Sequence, residues 1–441
     1  MGMLHASMHG TPAHAAASPR PRDWAVFVIL VALMIVDYVD RQVVVSMFSH
    51  LREQWDLPDR QLGALVSVVS ITVALGALPL SLLADRWGRV RSIFLMALVW
   101  SLATIACAYA GSYAQLLAAR GIVGLGEAAY GTVGVALLAT LFPARMRSTV
   151  LGAFLAASMV GSLLGVVLGG VIAERWGWQA GFGLVGVPGL MLAVLFAAVA
   201  REDSAAHGPN RAPGGVLAGP GDAFRELMAP RSVPLACLGA GLQLLAVSTI
   251  YAWLPTFLYR YYGYAPDRAG MLAAVVVLAG GLGAVAWSVV ADRLAVRNRS
   301  ARLQVPAGVA VGTALVLCPT LALLSAGPLQ FALLVAGGLL MAGTIGPVAA
   351  AVVDVTPPGL RATASALLAV TQNLIGLAGG PLLTGVLSDR YGLASAMAIV
   401  PLACLPAAAL FLAAARSYAR DLGRASDTGR DDRTIVAHGP A

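Results

Sequence analysis

The sequence predicts an all-α polytopic membrane protein, with twelve transmembrane helices arranged as two pseudo-symmetric six-helix bundles. Three observations carry this. Of 441 residues, 59% are hydrophobic and only 11% charged, whereas a soluble domain has roughly 25% charged residues. Twelve segments are apolar over the about 20 residues that a helix needs to cross the hydrocarbon core. Landmarks of the first half of the chain also recur in the second.

The spans run 24–47, 61–84, 92–110, 116–141, 148–173 and 178–200, then 233–259, 269–290, 305–324, 329–353, 363–387 and 393–415. Residues 1–22 form a polar tail, in which His5, His9 and His14 read as part of a disordered segment and not as a metal site. The first apolar run is longer than a signal-peptide core and lacks a small-residue cleavage site, so it is expected to be retained as a span. The stretch 201–232, rich in Gly, Pro and charge, is the expected linker between bundles at 23–200 and 233–415, and residues 416–441 form a second tail.

All 29 basic residues are arginine, against 21 acidic ones. Twenty-one arginines lie in the two tails and in the segments 85–91, 142–147, 201–232, 291–304 and 354–362, and six lie in the alternating loops. By the positive-inside rule both termini are expected in the cytoplasm, with the chain in the inner membrane. The net charge of +8 is therefore not a nucleic-acid patch. Cys107, Cys237, Cys318 and Cys404 sit far apart in apolar stretches, which argues against a disulfide framework or a metal site. No span contains His and no nucleophile–base pair is visible, so neither enzyme chemistry nor a cofactor is expected.

Gly63, Gly76 and Ala84-Asp85-Arg86 recur 207 residues later as Gly270, Gly283 and Ala291-Asp292-Arg293. The run GVIAERWG ending at Gly177 recurs 215 residues later as GVLSDRYG ending at Gly392. This is a duplicated six-helix unit, an architecture in which two halves rock about a site near the bilayer midplane.

The loop between spans 2 and 3 reads SLLADRWGRVRS. Asp85, Arg86, Gly88 and Arg89 are placed as in the signature of the major facilitator superfamily, with Ser81 at its leading Gly, and the chain resembles that superfamily. The resemblance implies that Asp85 sits near helix ends of the opposite half and helps hold one conformation closed. An acid near a helix N-terminus gains up to about 1 kcal/mol. Asp292 and Arg293 repeat the pattern, and Arg120, at the edge of span 4, is grouped with these gating candidates. Span 5 carries Gly152, Gly161, Gly165, Gly169 and Gly170 at the spacing of an antiporter signature, with Val166 at its proline. Small residues four apart let helices approach closely, so the stripe reads first as packing.

Asp37, Asp40, Arg41 and Glu127 are the charges lying well inside the spans. Each costs at least about 2.5–3.5 kcal/mol at mid-bilayer and is a functional candidate on that ground. Asp37, Asp40 and Arg41 share a face of span 1, and Glu127, Tyr130 and Gly131 a face of span 4. In the superfamily these spans line the cavity, so the faces can meet. An arginine between two carboxylates can hold them ionised, and the loss of one proton from the set is expected to free the arginine to take an anionic head group. Asp37, Asp40 and Glu127 are the proton-coupling candidates, and Arg41, Tyr38 and Tyr130 the substrate-binding ones. The alternative is a salt-bridged staple between spans 1 and 4.

The same residues carry a narrower resemblance. Tyr38-Val-Asp40-Arg41, then Arg120-Gly-Ile-Val-Gly124-Leu-Gly126-Glu127-Ala-Ala-Tyr130, Leu141-Phe-Pro143 with Arg147, and Gly186-Val-Pro188-Gly189 are similar to the Spinster-like branch. Spans 1 to 6 match well and the second half loosely, and Gln179 replaces the usual Arg. The resemblance implies a lysolipid or sphingolipid transporter with Asp40, Arg41 and Glu127 in its site. The triad also resembles that of anion:cation symporters for sugar acids and other carboxylates.

Polar anchors in the second half are few. Span 7 has Gln243, Ser248, Thr249, Tyr251 and Trp253, span 10 has Thr344, and span 11 has Thr371, Gln372 and Asn373. Gln243, Tyr251 and Trp253 are the substrate-contact candidates, on a wall apolar enough for an amphipathic tail. The expected function is secondary active transport of a small anionic or amphipathic solute by a monomer, through alternating access coupled to protons. The alternatives are a multidrug or sugar efflux antiporter, which would not need Arg41, and a non-transporting membrane sensor.

Overall fold

The structure, a computed structural model, describes residues 19–201, 225, 227–357 and 360–437. Most of the expected first tail and of the 201–232 linker lies outside the described residues. The first half contains α1 Pro21–Val43, α2 Asp59–Trp87, α3 Arg89–Ala108, α4 Tyr113–Leu141, α5 Arg145–Trp176 and α6 Trp178–Val199. The second contains α7 Ser232–Tyr262, α8 Pro266–Ala295, α9 Ala301–Leu323, α10 Pro328–Asp354, α11 Thr363–Tyr391 and α12 Leu393–Gly423.

Eleven of these helices are long and apolar enough to cross a membrane. The exception is α1, and the reason is chemical: Asp37, Asp40 and Arg41 crowd into little more than one turn and interrupt its apolar run. The sequence expected a span to residue 47, but regular helix stops at Val43 and passes through a 3-10 turn, Val44–Met47, into a short helix, Phe48–Trp55. Helix α12 runs on past the expected span end at 415, and its last stretch is part of a continuous helix, Cys404–Ala437.

Two helices are broken in matching places. In α4 the regular helix ends at Glu127 and restarts at Tyr130, and in α10 it ends at Met341 and restarts at Ile345. A shift of 215 residues, the offset of the later part of the sequence repeat, carries Ala128 onto Gly343, so the breaks fall at corresponding places in the two halves. A further departure is the π-helical stretch Gln372–Ala378 within α11.

The glycine stripe of α5 lies against α1. A Cβ at Gly165 would stand 2.7 Å from the Val39 carbonyl oxygen and 2.8 Å from Gln42 Cβ, so the helices meet almost backbone to backbone. This contact fixes α1 closely against α5. Each half has its own apolar core, around Leu30, Trp100, Tyr130 and Phe154 in the first and Cys237, Val348 and Phe411 in the second. The backbone N–H and hydroxyl of Ser232 both donate to Asp421, at 3.0 and 2.7 Å, so a side chain of α12 caps the first turn of α7.

The halves are joined at one end. A third core, including Phe48, Leu62, Val166, Trp253, Phe257 and Ala273, draws residues from both of them. Among the described residues the ion pairs that cross between halves, Arg260–Asp59 at 2.7 Å and Arg60–Asp389 at 3.9 Å, both lie at this end. Toward the other end, which bears Asp85 and Asp292, α2 exposes Leu75, Leu78 and Leu82.

Candidate functional site

A cavity between the halves is lined by Tyr38 and Arg41 of α1, Ser70 of α2, Arg120 of α4, and Ser248 and Tyr251 of α7. Arg41 is the more exposed of the two arginines on its wall. The Nε atom donates to Asp37 Oδ1 at 3.0 Å, and Nη2 lies 2.8 Å from Glu127 Oε2. The i,i+4 spacing supplies the first contact and the break in α4 supplies the second, because Glu127 stands at the last position before that break. The Arg41 guanidinium also lies over the Tyr38 ring, 5.4 Å from its centroid. The Arg41 side chain keeps 20% of its surface exposed while that of Glu127 keeps none, so the arginine is the member that faces the cavity.

Asp40 does not share Arg41. Its carboxylate accepts from Arg120 Nη1 at 3.2 Å, and each side chain of this second pair is only 1% exposed. Arg120, grouped with the gating residues from sequence, therefore lies on the cavity wall and holds the neighbouring carboxylate. Three carboxylates and two guanidiniums are gathered here. Asp40 Oδ1 and both carboxylate oxygens of Glu127 accept no hydrogen bond among the described residues, so Arg41 and Glu127 are joined by charge proximity and not by an aligned hydrogen bond.

Tyr130, Gln243 and Trp253 are placed away from the cavity wall. Tyr130 is fully buried between Trp100 and Phe154 and donates to the Leu30 carbonyl at 2.7 Å. Glu127 and Tyr130 would share a face only on an unbroken helix, and the break turns the tyrosine into the core. Gln243 donates to the Met341 carbonyl at 2.9 Å, at the break in α10, so it occupies in the second half the bridging place that Arg41 holds in the first. Trp253 donates to the Pro381 carbonyl at 3.1 Å and packs on Phe48. Both belong to α7, whose apolar window is 72% buried, so polar groups on most of its faces meet protein.

The gating candidates sit at the open end. Asp85, Arg86 and Arg293 are exposed, and among the described residues Asp85 makes no ion pair to the other half. Arg89 donates to the Ala136 carbonyl at 3.0 Å, and Gly88, with φ of 95°, forms the turn before it. Asp292 lies 3.5 Å from Arg302, which also pairs with Asp354. Sequence reasoning missed Asp59 altogether. It is 2% exposed and accepts from Arg52 and Arg260, and its only local signal is that of an acid following Pro58 at a helix start.

Two six-helix halves around a central cavity with buried charge define a membrane transporter. Residues 30–381 match the family model of the Major Facilitator Superfamily, and the chain belongs to that superfamily. Within it the chain is similar to the Spinster-like branch. It is 27% identical to protein spinster homolog 1 of Xenopus tropicalis, over 87% of this chain and 76% of that protein. It is 31% identical to a niacin transporter of Acinetobacter baylyi over a shorter stretch, 36% of each chain. A crystal structure of a bacterial homologue of the human lysosomal transporter Spinster, inward-facing and unoccupied, matches with a TM-score of 0.78 at 21% identity, covering 91% of this chain and 98% of that one.

Proposed function

We propose that this transporter moves a small anionic or amphipathic solute by alternating access coupled to protons, from the inner membrane with both termini in the cytoplasm. The observation that carries the reading is Arg41, exposed to the cavity yet held by two buried carboxylates. With all five groups ionised, three carboxylates against two guanidiniums leave the cluster one negative charge in excess, which one bound proton neutralises. The sense is opposite to the proton loss expected from sequence: a carboxylate that gains a proton loses its charge, so protonation of Glu127 withdraws one carboxylate from Arg41 and frees the guanidinium to bind an anion. Loss of that proton restores the internal pair and expels the anion. The apolar part of the wall, including Val66, Leu377 and Pro381, suits the body of an amphipathic solute. Niacin, named for one relative, is a small carboxylic acid and fits the same anchor. The orientation rests on the arginine bias, 21 in the tails and segments of one side against six on the other. The chain is taken to act as a monomer, with protons, solute and membrane lipids as its partners.

Thermal stability against a panel of lysophospholipids, sphingoid lipids, sugar acids and aromatic acids tests this, because a ligand of the folded state raises stability by mass action. One anion class is expected to stabilise the protein, more strongly at acidic than at alkaline pH. The shift should vanish in Arg41→Ala and lose its pH dependence in Glu127→Gln. A shift unchanged in both variants would reduce the cluster to a structural staple and favour an efflux antiporter that reads its solute elsewhere.

A further inference from the structure

The cavity between the halves has a short, apolar dead end. Arg41 and Val45 line it four residues apart, and Phe48, three residues further on, packs on Trp253 with ring centroids 5.1 Å apart in the core that joins the halves. Val66, Ala252 and Pro381 wall the same recess. The first two pack in that core, and the Pro381 carbonyl accepts from Trp253 at 3.1 Å. At about 1.5 Å of rise per residue, the recess reaches only about 6 Å past Arg41 before it meets Val45. The whole cavity, mouth included, holds about 630 Å³, the size of pocket that encloses a small organic ligand. One ring fits the recess, and an extended acyl chain does not.

The polar groups of the wall are few, and most are engaged. Arg41 spends Nε on Asp37 and turns Nη2 to Glu127, which leaves Nη1 for a solute. Ser248 donates to the Gly376 carbonyl at 2.8 Å. Tyr251 holds its hydroxyl against Gly280 of α8, where an added Cβ would stand 2.1 Å from it, so the ring is its share of the wall. Ser70 is different. It is 5% exposed and lines the cavity, yet among the described residues its hydroxyl has no hydrogen-bond partner. Ser67, one turn earlier on α2, returns its hydroxyl to the Gly63 carbonyl at 3.0 Å, the usual recourse of a serine within a helix. A hydroxyl kept from water is costly unless a partner meets it, and the cavity is the side from which a partner can come. The half-buried amide of Gln42, beside Arg41 on α1, is likewise unpartnered.

From these contacts we infer that the solute is a compact aromatic carboxylate. Its single ring occupies the recess, its carboxylate meets Arg41 Nη1, and one neutral acceptor on or beside the ring takes the Ser70 hydroxyl. The inference narrows the anion reading proposed above and rests on it. Tyr251 and Tyr38, whose ring lies 5.4 Å from the Arg41 guanidinium, give an aromatic solute ring neighbours on two walls. A sugar acid is poorly served, because Ser70 and Gln42 are too few to meet its hydroxyls once they leave water. A lysolipid with its head on Arg41 would find room in the recess for only a few carbons of its chain.

The test measures dissociation constants for nicotinate, benzoate, gluconate and a lysophosphatidate from the ligand dependence of thermal unfolding, on the purified full chain at acidic pH. Nicotinate and benzoate share ring and carboxylate, but only nicotinate has a ring atom that accepts a hydrogen bond. Nicotinate is expected to bind at least about tenfold more tightly than gluconate or the lysophosphatidate. Ser70→Ala should weaken nicotinate about fivefold and leave benzoate unchanged. Val66→Phe, which fills the recess, should weaken both by about tenfold or more. Ala252→Leu takes its place if Val66→Phe does not give monodisperse protein. Nicotinate affinity that is unchanged in Ser70→Ala, or unchanged when the recess is filled, overturns the inference. Failure of both aromatic acids to bind, or tighter binding of gluconate or the lysophosphatidate that Arg41→Ala abolishes, overturns the aromatic class and spares the anion reading. Binding of any of the four that Arg41→Ala leaves unchanged overturns that reading and the inference with it.

Discussion

Arg120→Ala is expected to lower the stability of the first half by about 3–5 kcal/mol, the cost of leaving one partner of a buried ion pair uncompensated. The partner is Asp40, and each side chain keeps only 1% of its surface. Asp40 has little else to fall back on, because its Oδ1 accepts no hydrogen bond among the described residues. The double variant Asp40→Ala/Arg120→Ala removes the stranded charge as well as the pair, so it should recover much of the loss. Thermal unfolding of the two single variants and the double one, in the same lipid or detergent, gives the comparison. A single Arg120→Ala variant as stable as the double would show that Asp40 finds compensation elsewhere.

Arg41→Ala is expected to have the largest effect on solute handling, because it removes the charged group that faces the cavity. Hydrogen bonds to charged groups contribute about 1.5–3 kcal/mol, so apparent affinity for an anion should fall by roughly tenfold to a hundredfold or more. Arg41→Lys is the informative companion. Lysine restores the charge but not the planar fork that reaches Asp37 and Glu127 at once. It should therefore recover part of the stability while the pH dependence of binding remains altered. Combining Arg41→Ala with Glu127→Gln relieves the unpaired carboxylate, and stability that returns without transport would separate the binding role from the structural one. Transport by Arg41→Ala at parental rates, below saturating solute, would remove this residue from the site.

The fold was legible because lipid imposes a coarse requirement: enough apolar residues in a row, repeated, with arginine on alternate sides. Within the site, the Asp37–Arg41 contact could be read from spacing alone, since i,i+4 neighbours meet on any straight helix. The Asp40–Arg120 pair could not, because three residues along a helix leave open which neighbouring helix a side chain will find. Tyr130 was misplaced for a related reason. Its spacing from Glu127 was read on a continuous helix, and the turn at Ala128 and Ala129 breaks the phase. Gln243 and Trp253 show a third limit: polar groups on a helix enclosed by protein can serve neighbouring carbonyls, and sequence does not separate those from cavity contacts. Asp59 and Arg260, 201 residues apart, carry no local pattern that would join them.

The bond from Ser232 to Asp421 spans 189 residues and ties the first helix of the second half to the last. Topologically it turns that half into a closed loop, sealed by a side chain in the last turn of α12. The second half is then complete only once its C-terminal turns have been synthesised, so during translation α7 waits uncapped for nearly the whole of that half to follow. The same closure gives a rule for construction. A protease cut between residues 232 and 421 opens the loop, whereas truncation of the chain after Gly423 keeps both groups of the seal.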